Sequence, residues 1–306
     1  MRGARRVAVV ASVLVGATAC AATTLGSGVT RVERTRVITV GSFDFPESKL
    51  LASLYGQALE RRGFPVARAL GLGPREFVEP ALARGLIGLI PEYAGTALQF
   101  LTGGTALPNA DIGIAHQALV DAAGTIRVVA LAPSPAQNSN AIVVTRATAD
   151  RYGLHRISDL RAVAPRLVFG GPPECSQRLL CLKGLERTYD VKFSEFVGLD
   201  VGGPLTRQAL DRGQIDVALL FTTDPSLASP NIVVLTDDRR LQPAENITPL
   251  LRSDVLARFG PGVADALNEV SARMTTDKLR SLNAEVARGD DPARVASRWL
   301  AEQGAA

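Results

Sequence analysis

The chain has few of the residues that often mark chemistry. Its 306 residues include 3 cysteines and 2 histidines, and only 5 % are aromatic. The two histidines, His116 and His155, are far apart and show no ligand-like spacing, which argues against a metal site. Sequence motifs of hydrolases, zinc proteases and nucleotide-binding loops are missing. We therefore expect neither an enzyme nor a cofactor.

Long apolar runs are also missing after the first residues. A basic stretch (2–6) precedes an apolar run (7–17), which is too short, at about 1.5 Å per residue, to span a membrane permanently. With Cys20 after small residues, this start resembles a bacterial lipoprotein signal. It predicts a signal peptide (1–19), lipidation of Cys20 and a small, polar tether (20–35). Ordinary secretion is the alternative, and both place the protein outside the cytoplasmic membrane.

The charge balance gives no reason to expect a nucleic-acid partner. The formal net charge is +4, with 34 basic and 30 acidic residues. Removing residues 1–19 takes away three arginines and no acid, so 31 basic residues remain and the net charge falls near +1. Nucleic-acid binding usually needs a concentrated basic face, which this balance does not supply.

The cysteines predict one disulfide. If Cys20 carries a lipid, Cys175 and Cys181 remain, close together in an oxidising compartment. We expect a bridge between them. Two buried free thiols, or a metal pair, are the alternatives.

Short apolar runs alternate with helical patterns along the chain. The predicted strands are 37–41, 64–70, 87–90, 126–131, 141–145, 167–169, 192–197, 217–221 and 232–235. The predicted helices are 46–62, 76–84, 96–101, 112–123, 177–189 and 205–212, followed by a helical region at 253–302. This alternation predicts an α/β protein with parallel-rich sheets.

Two turn-rich segments divide this pattern. Residues 132–140 and 225–246 look like crossings between two α/β lobes. The predicted lobes are 36–137 with 248–306, and 138–247. A cleft between such lobes is a common place for a small ligand.

Seven segments resemble, in order, the glycine betaine, choline and carnitine binding proteins of osmoprotectant ABC importers. They are 40–47 (VGSFDFPE), 70–73 (LGLG), 90–96 (IPEYAGT), 169–174 (FGGPPE), 213–217 (GQIDV), 222–224 (TTD) and 243–247 (PAENI). The resemblance covers roughly residues 37–300. It implies a type II periplasmic-binding fold, with two lobes joined by two hinge crossings. It also implies an exported monomer that binds a small solute and serves an ABC permease with its ATPase.

The resemblance also implies a ligand site. A trimethylammonium group has no N–H and is held by aromatic faces, whereas a carboxylate tail needs a guanidinium, hydroxyls or amides. The expected ligand-binding residues are Tyr93 as the cage ring, Arg178 as a carboxylate clamp, Thr96 as a hydroxyl and amide donor, and Phe221, Asn140, Phe43, Phe45 and Asp44 around them.

Three of these positions depart from the family pattern. Phe43 stands where many members have lysine, Phe221 where they often have tyrosine, and Asn140 where a tyrosine is usual. An apolar wall with amide donors also suits a polyol, a sugar or a phenolic compound. Such a ligand is therefore an alternative within the same importer role. A ligand-sensing domain or an enzyme on this fold is a more distant alternative.

Overall fold

The structure is a computed structural model that describes residues 37–105 and 111–304. The predicted signal peptide, Cys20 and the predicted tether lie outside the described residues. The strands are β1 (Ile38–Gly41), β2 (Val66–Ala69), β3 (Leu89–Tyr93), β4 (Val128–Ala130), β5 (Asn140–Thr145), β6 (Val168–Gly171), β7 (Glu195–Gly198), β8 (Val217–Phe221), β9 (Ile232–Val234) and β10 (Ile247–Arg252). The α-helices are α1 (Pro46–Arg61), α2 (Arg75–Ala83), α3 (Ala94–Leu101), α4 (Ile112–Gly124), α5 (Arg146–Tyr152), α6 (Leu182–Gly184), α7 (Pro204–Asp211), α8 (Ser253–Phe259), α9 (Gly262–Arg273), α10 (Thr276–Ala287) and α11 (Pro292–Glu302).

Helix α1 shows how local sequence produces these elements. Pro46 occupies the first turn, where its missing N–H removes no helical hydrogen bond. Leu50, Leu51 and Leu54 follow at helical spacing and are buried in the core. Gly63, with φ of +80°, lies just after the helix and turns the chain toward β2.

The strands form two mixed sheets, each the centre of one lobe. The first sheet has the order β2-β1-β3-β10-β4, with β1, β2 and β3 parallel and β10 antiparallel to both of its neighbours. The second has the order β7-β6-β8-β5-β9, with β6, β7 and β8 parallel and β5 antiparallel to β8 and β9. We call the parts around these sheets the first lobe and the second lobe.

Two crossing segments, 131–139 and 235–246, join the lobes. They run side by side: Gln137 pairs with Asn246 in an antiparallel bridge, and the Asn138 N–H donates to the Glu245 carbonyl oxygen at 3.0 Å. The two-lobed α/β fold with two crossings is therefore confirmed. The residue boundaries that we predicted for the lobes stay predictions.

Each lobe has its own hydrophobic core. Tyr55 and Trp299 are the largest buried side chains of the first, where α11 packs on α1. The Tyr55 hydroxyl and Ser271 Oγ, 2.9 Å apart, also tie α1 to α9. Phe169 and Tyr189 fill the core of the second lobe. Separate cores allow each lobe to be rigid while the crossing segments carry the chain between them.

Two predicted features differ in the structure. Strand β10 was missed because Pro249 interrupts its pattern, yet Pro249 lies opposite Pro91 of β3, so neither residue needs to donate there. The helix predicted at 177–189 is broken into a 3₁₀ turn (Pro173–Gln177), α6 and a π turn (Leu185–Tyr189). The bond between Cys175 and Cys181 lies across this segment and prevents a continuous helix.

Candidate functional site

A cavity of about 290 Å³ lies between the lobes. The carboxyl ends of β1, β3, β6 and β8 meet its wall, which is the usual place for a ligand in parallel α/β sheets. All of the predicted ligand-binding residues line it: Phe43, Asp44, Phe45, Tyr93, Thr96, Asn140, Arg178 and Phe221. Their roles in binding stay predictions, but the fold brings them together from distant parts of the chain.

Four aromatic rings form one cluster in the wall. Phe45 is its centre, with ring centroids 6.0 Å from Phe43, 6.2 Å from Tyr93 and 5.9 Å from Phe221. The planes are within 28° of parallel. Phe221 comes from the second lobe and the other three from the first, so the aromatic cluster spans the cleft.

The hydroxyl of Tyr93 is not directed to a ligand. It donates to Glu47 Oε1 at 2.7 Å, and burial together with the nearby Glu47 charge raises the Tyr93 pKa well above its ordinary value. The same carboxylate accepts from Asn138 Nδ2 at 2.6 Å, from Thr223 Oγ1 at 2.5 Å and from the Asn283 amide. Glu47 thus links the first lobe, a crossing segment and the end of β8. Only the Tyr93 ring remains for a ligand.

Arg75 is a cavity residue that the sequence reasoning missed. Its side chain is buried, makes a bidentate ion pair with Glu92 (2.6 and 2.7 Å), and lies over the Phe43 ring with its guanidinium carbon 4.9 Å from the centroid. Arg75 therefore supplies a basic group close to Phe43. In the sequence, the one feature that could have pointed to Arg75 as a cavity residue was its position just after the glycine-rich turn at 70–73.

Arg178 reaches across the cleft instead of standing free. Its Nη2 lies 3.0 Å from Glu76 of the first lobe and 3.6 Å from Glu174 beside it. The predicted carboxylate clamp thus already holds two carboxylates of the protein. This ion pair joins the lobes at the edge of the cavity.

Thr96 is likewise occupied by a protein carboxylate. Its backbone N–H donates to Glu245 Oε2 at 3.1 Å and its hydroxyl donates to Glu245 Oε1. Glu245 is buried on the second crossing segment and lines the cavity. Burial raises its pKa to about 7, although the Thr96 hydrogen bonds act in the opposite direction. Sequence reasoning did not identify Glu245, although it belongs to the 243–247 segment.

Asn140, Asp44 and the cysteine pair also line the cavity. Asn140 Nδ2 donates to the Leu180 carbonyl at 2.9 Å and to Gln242 Oε1 at 3.1 Å, so both amide hydrogens are used. Asp44 pairs with Lys49 at 2.7 Å. Cys175 and Cys181 are bonded to each other, with Cα atoms 5.2 Å apart, and both line the cavity.

Two features are absent from the described residues. Within 37–105 and 111–304, no group of three or more histidine, cysteine or acidic side chains is placed to hold a metal ion. No helix in the same ranges is long and apolar enough to cross a membrane.

A two-lobed α/β chain with two crossings and an aromatic, charged cavity between its lobes has the architecture of a solute-binding protein. Residues 36–302 match the family model described as the substrate binding domain of ABC-type glycine betaine transport systems, and the chain belongs to this family. It is therefore an extracytoplasmic substrate-binding component of an ABC importer, and its family is one of solute-binding proteins.

The chain is similar to several characterised proteins. It is 27 % identical to the glycine betaine-binding protein YehZ of Escherichia coli, over 87 % of this chain and 90 % of that protein. It is 24 % identical to the carnitine transport binding protein OpuCC of Listeria monocytogenes, over 86 % and 85 %. A solved glycine betaine/carnitine/choline ABC transporter structure superposes with a TM-score of 0.68 at 24 % identity, over 88 % of this chain and 99 % of that one. The predicted type II periplasmic-binding fold is confirmed.

Proposed function

We propose that this protein captures a quaternary ammonium compatible solute in the cavity and delivers it to the permease and ATPase of an ABC importer. The aromatic cluster carries the proposal. A trimethylammonium group cannot donate a hydrogen bond, and aromatic faces attract it by about 0.5–2 kcal/mol per ring, most strongly when water is excluded. Two of its rings are buried, with Phe43 3 % and Tyr93 6 % exposed, and Phe45 and Phe221 are half-buried.

The names of the relatives support the same ligand class. Relatives that align over most of this chain are named for glycine betaine and carnitine, both of which carry a trimethylammonium group. A binding protein for ergothioneine, another trimethylammonium compound, is 23 % identical over 78 % of this chain. What these ligands share is the cation that an aromatic cavity recognises.

A neutral ligand has less support. The hydroxyls of a polyol or sugar could donate to acceptors in the wall, but the amide hydrogens of Asn140 are already donated to Leu180 and Gln242, and a neutral ligand would gain no cation–π attraction from the rings. The matching family is one of substrate-binding domains of transport systems, and this supports binding without catalysis.

The anchoring and assembly of the protein are part of the proposal. A lipid on Cys20 would hold the chain at the outer face of the cytoplasmic membrane, and residues 20–35 would act as the tether. The signal-like start of the sequence supports this arrangement. We propose that the protein acts as a monomer toward its permease.

A thermal-shift screen of the purified protein tests the ligand class. Choline, glycine betaine and carnitine are compared with sorbitol, glucose and phenol. A ligand at 100 times its Kd stabilises the folded state by about 2.7 kcal/mol, so at least one quaternary amine should raise the Tm. Phe45→Ala, which removes the central ring, should reduce that rise. Stabilisation by a sugar, polyol or phenolic compound, with none by the quaternary amines, would contradict the proposal.

A further inference from the structure

The disulfide closes a loop of the second lobe that lies against the first lobe. We call residues 175–181 the bridged loop, because Cys175 and Cys181 bond its two ends. Inside it, the Arg178 N–H donates to the Cys175 carbonyl oxygen and the Cys181 N–H donates to the Arg178 carbonyl oxygen, each at 3.2 Å. These are single turns and not a continuous helix. A covalent link removes many conformations from a short segment, so the bridge fixes the shape of a loop with little regular structure.

The base of the bridged loop is attached to the ends of both crossing segments. The Leu180 carbonyl oxygen accepts from Asn140 Nδ2 at 2.9 Å and from Gln242 Nε2 at 3.0 Å. Asn140 directly follows the first crossing segment, and Gln242 belongs to the second. The loop is therefore held in place at the points where the chain enters and leaves the second lobe.

The tip of the bridged loop contacts two elements of the first lobe. Arg178 pairs with Glu76 in the first turn of α2, with Nη2 3.0 Å from Oε2 and Nε 3.3 Å from Oε1. Leu179 packs on Gly104 in the turn after α3, where a Cβ atom would lie 2.5 Å from Leu179 Cδ1. The φ of Gly104 is +83°, so the backbone and this close approach both suit glycine. One loop thus joins the lobes through an ionic and an apolar contact.

The bridged loop also stands between two cavities. The inner one is the candidate site, and the outer one, also of about 290 Å³, lies beside it. Arg178 and Leu180 line both cavities, together with Arg75 and Thr96 of the first lobe. A solute that moves from the outer cavity to the inner one would therefore pass Arg178 and its partner Glu76.

These contacts lie farther from the crossing segments than other contacts between the lobes. The Thr222 carbonyl oxygen accepts from Arg280 of α10 at 3.2 Å, but Thr222 is also hydrogen-bonded to Ser139 of the first crossing. The first turn of α3 binds Glu245 of the second crossing, and the other end of α3, next to Gly104, is about 10 Å away at about 1.5 Å per residue. When two rigid bodies rotate about a hinge, contacts beside the hinge change little, whereas contacts farther out must separate.

We infer that the Cys175–Cys181 bridge positions Arg178 and Leu179 as a latch that holds the second lobe against the first. Loss of the latch then favours an open cleft. Cys175 and Cys181 are positioning residues in this role, since they act through Arg178 and Leu179. The consequence for ligand binding rests on the proposed function. Because apparent affinity falls with the fraction of molecules that are closed, a weaker latch should give weaker binding and faster release.

Small-angle X-ray scattering of the purified protein without ligand tests the latch itself. Three variants each remove one part of it. Glu76→Ala removes the ion pair, Leu179→Ala removes the apolar contact, and Cys175→Ala with Cys181→Ala removes the bridge. Each variant should have a larger radius of gyration than the wild type. Equal radii in the wild type and all three variants would overturn the inference without bearing on the ligand.

A surface ion pair outside the cavity supplies the matched control. The side chains of Glu60 and Arg68 are 39 % and 27 % exposed, close to the 44 % and 28 % of Glu76 and Arg178, so Glu60→Ala removes a similar pair. It should change neither the radius of gyration nor ligand binding. Thermal unfolding checks that each variant is folded at the temperature of measurement. If the bridge-free variant does not fold, Glu76→Ala and Leu179→Ala decide the test.

Titration calorimetry and stopped-flow kinetics with choline and glycine betaine test the consequence for binding. For each compound that the wild type binds, the three variants should lower the affinity several-fold, mainly through faster dissociation. Combining Glu76→Ala with the bridge-free variant should cost less than the sum of the separate losses, because the bridge acts through Arg178.

Two binding results would overturn the inference and leave the proposed function intact. One is full additivity of these two changes. The other is tighter binding of glycine betaine by Glu76→Ala, which would show that Arg178 is a ligand clamp released from Glu76. If the wild type binds neither compound, the proposed function fails, and the radii of gyration still decide whether the latch exists.

Discussion

The Tyr93 ring and the Tyr93 hydroxyl have separate tasks, and two substitutions can separate them. The ring belongs to the aromatic cluster, while the buried hydroxyl donates to Glu47 at 2.7 Å. Tyr93→Phe removes only the hydroxyl, and Tyr93→Ala removes both. We expect Tyr93→Phe to reduce stability and keep ligand affinity, and Tyr93→Ala to reduce both.

The expected sizes follow from these contacts. A hydrogen bond to a carboxylate contributes about 1.5–3 kcal/mol, so Tyr93→Phe should lower the free energy of unfolding by about 2 kcal/mol. Tyr93→Ala also empties a buried site, and the total loss should reach about 3–5 kcal/mol. Loss of one ring face should cost about 1–2 kcal/mol of binding, which is about tenfold in affinity.

Urea unfolding and titration calorimetry with choline measure the two quantities independently. Tyr152→Phe, on α5 away from the cavity, is the matched control and should change stability by less than about 0.5 kcal/mol. If Tyr93→Phe weakens choline binding as much as Tyr93→Ala does, the hydroxyl contacts the ligand and the reasoning fails. Unchanged stability of Tyr93→Phe would refute the role of its bond to Glu47.

Three further predictions concern pH, the disulfide and the anchor. The pKa of Glu245 is about 7 in the folded state, against an ordinary value of 4.5, so stability should fall by up to about 3 kcal/mol as pH rises from about 4.5 to about 7. The groups that act on the Glu245 carboxyl are Thr96, Arg75 and Glu92. Glu245→Gln should flatten this part of a Tm–pH curve. Mass spectrometry without reductant should show Cys175 linked to Cys181, and breaking this short loop should cost at most about 2–3 kcal/mol; two thiols free to alkylate in the denatured, unreduced protein would disprove it. Labelled palmitate should enter the wild type and not Cys20→Ala, and equal partitioning of the two into membranes would disprove the anchor.

Local patterns predicted the elements that local forces determine. The apolar spacing of α1 and the buried run of β8 appear in the structure close to their predicted positions because burial follows sequence period. Strand β10 could not be predicted in this way. The backbone of Pro249 faces the end of β4, where its carbonyl oxygen accepts from the Leu131 N–H at 3.0 Å, and His116 Nε2 lies 2.8 Å from the Leu131 carbonyl oxygen that a proline cannot serve. These contacts exist only in the assembled sheet.

The lining of the cavity was predictable, but the partners of its residues were not. Motif resemblance named Thr96 and Arg178, which both line the cavity. Their acceptors are Glu245, 149 residues from Thr96, and Glu76, 102 residues from Arg178. Contacts over such separations have no local signal, so a donor that looked available in the sequence is engaged in the folded protein.

The central claim is that the aromatic cavity recognises a quaternary cation. Its most direct test is titration calorimetry of the purified protein with choline and with the neutral isostere in which a carbon atom replaces the nitrogen. The two molecules have the same shape and the same hydroxyl, so only the charge differs. Cation–π attraction over several rings predicts that choline binds at least about tenfold more tightly than the isostere. Equal affinities, or no binding of choline, would contradict the claim.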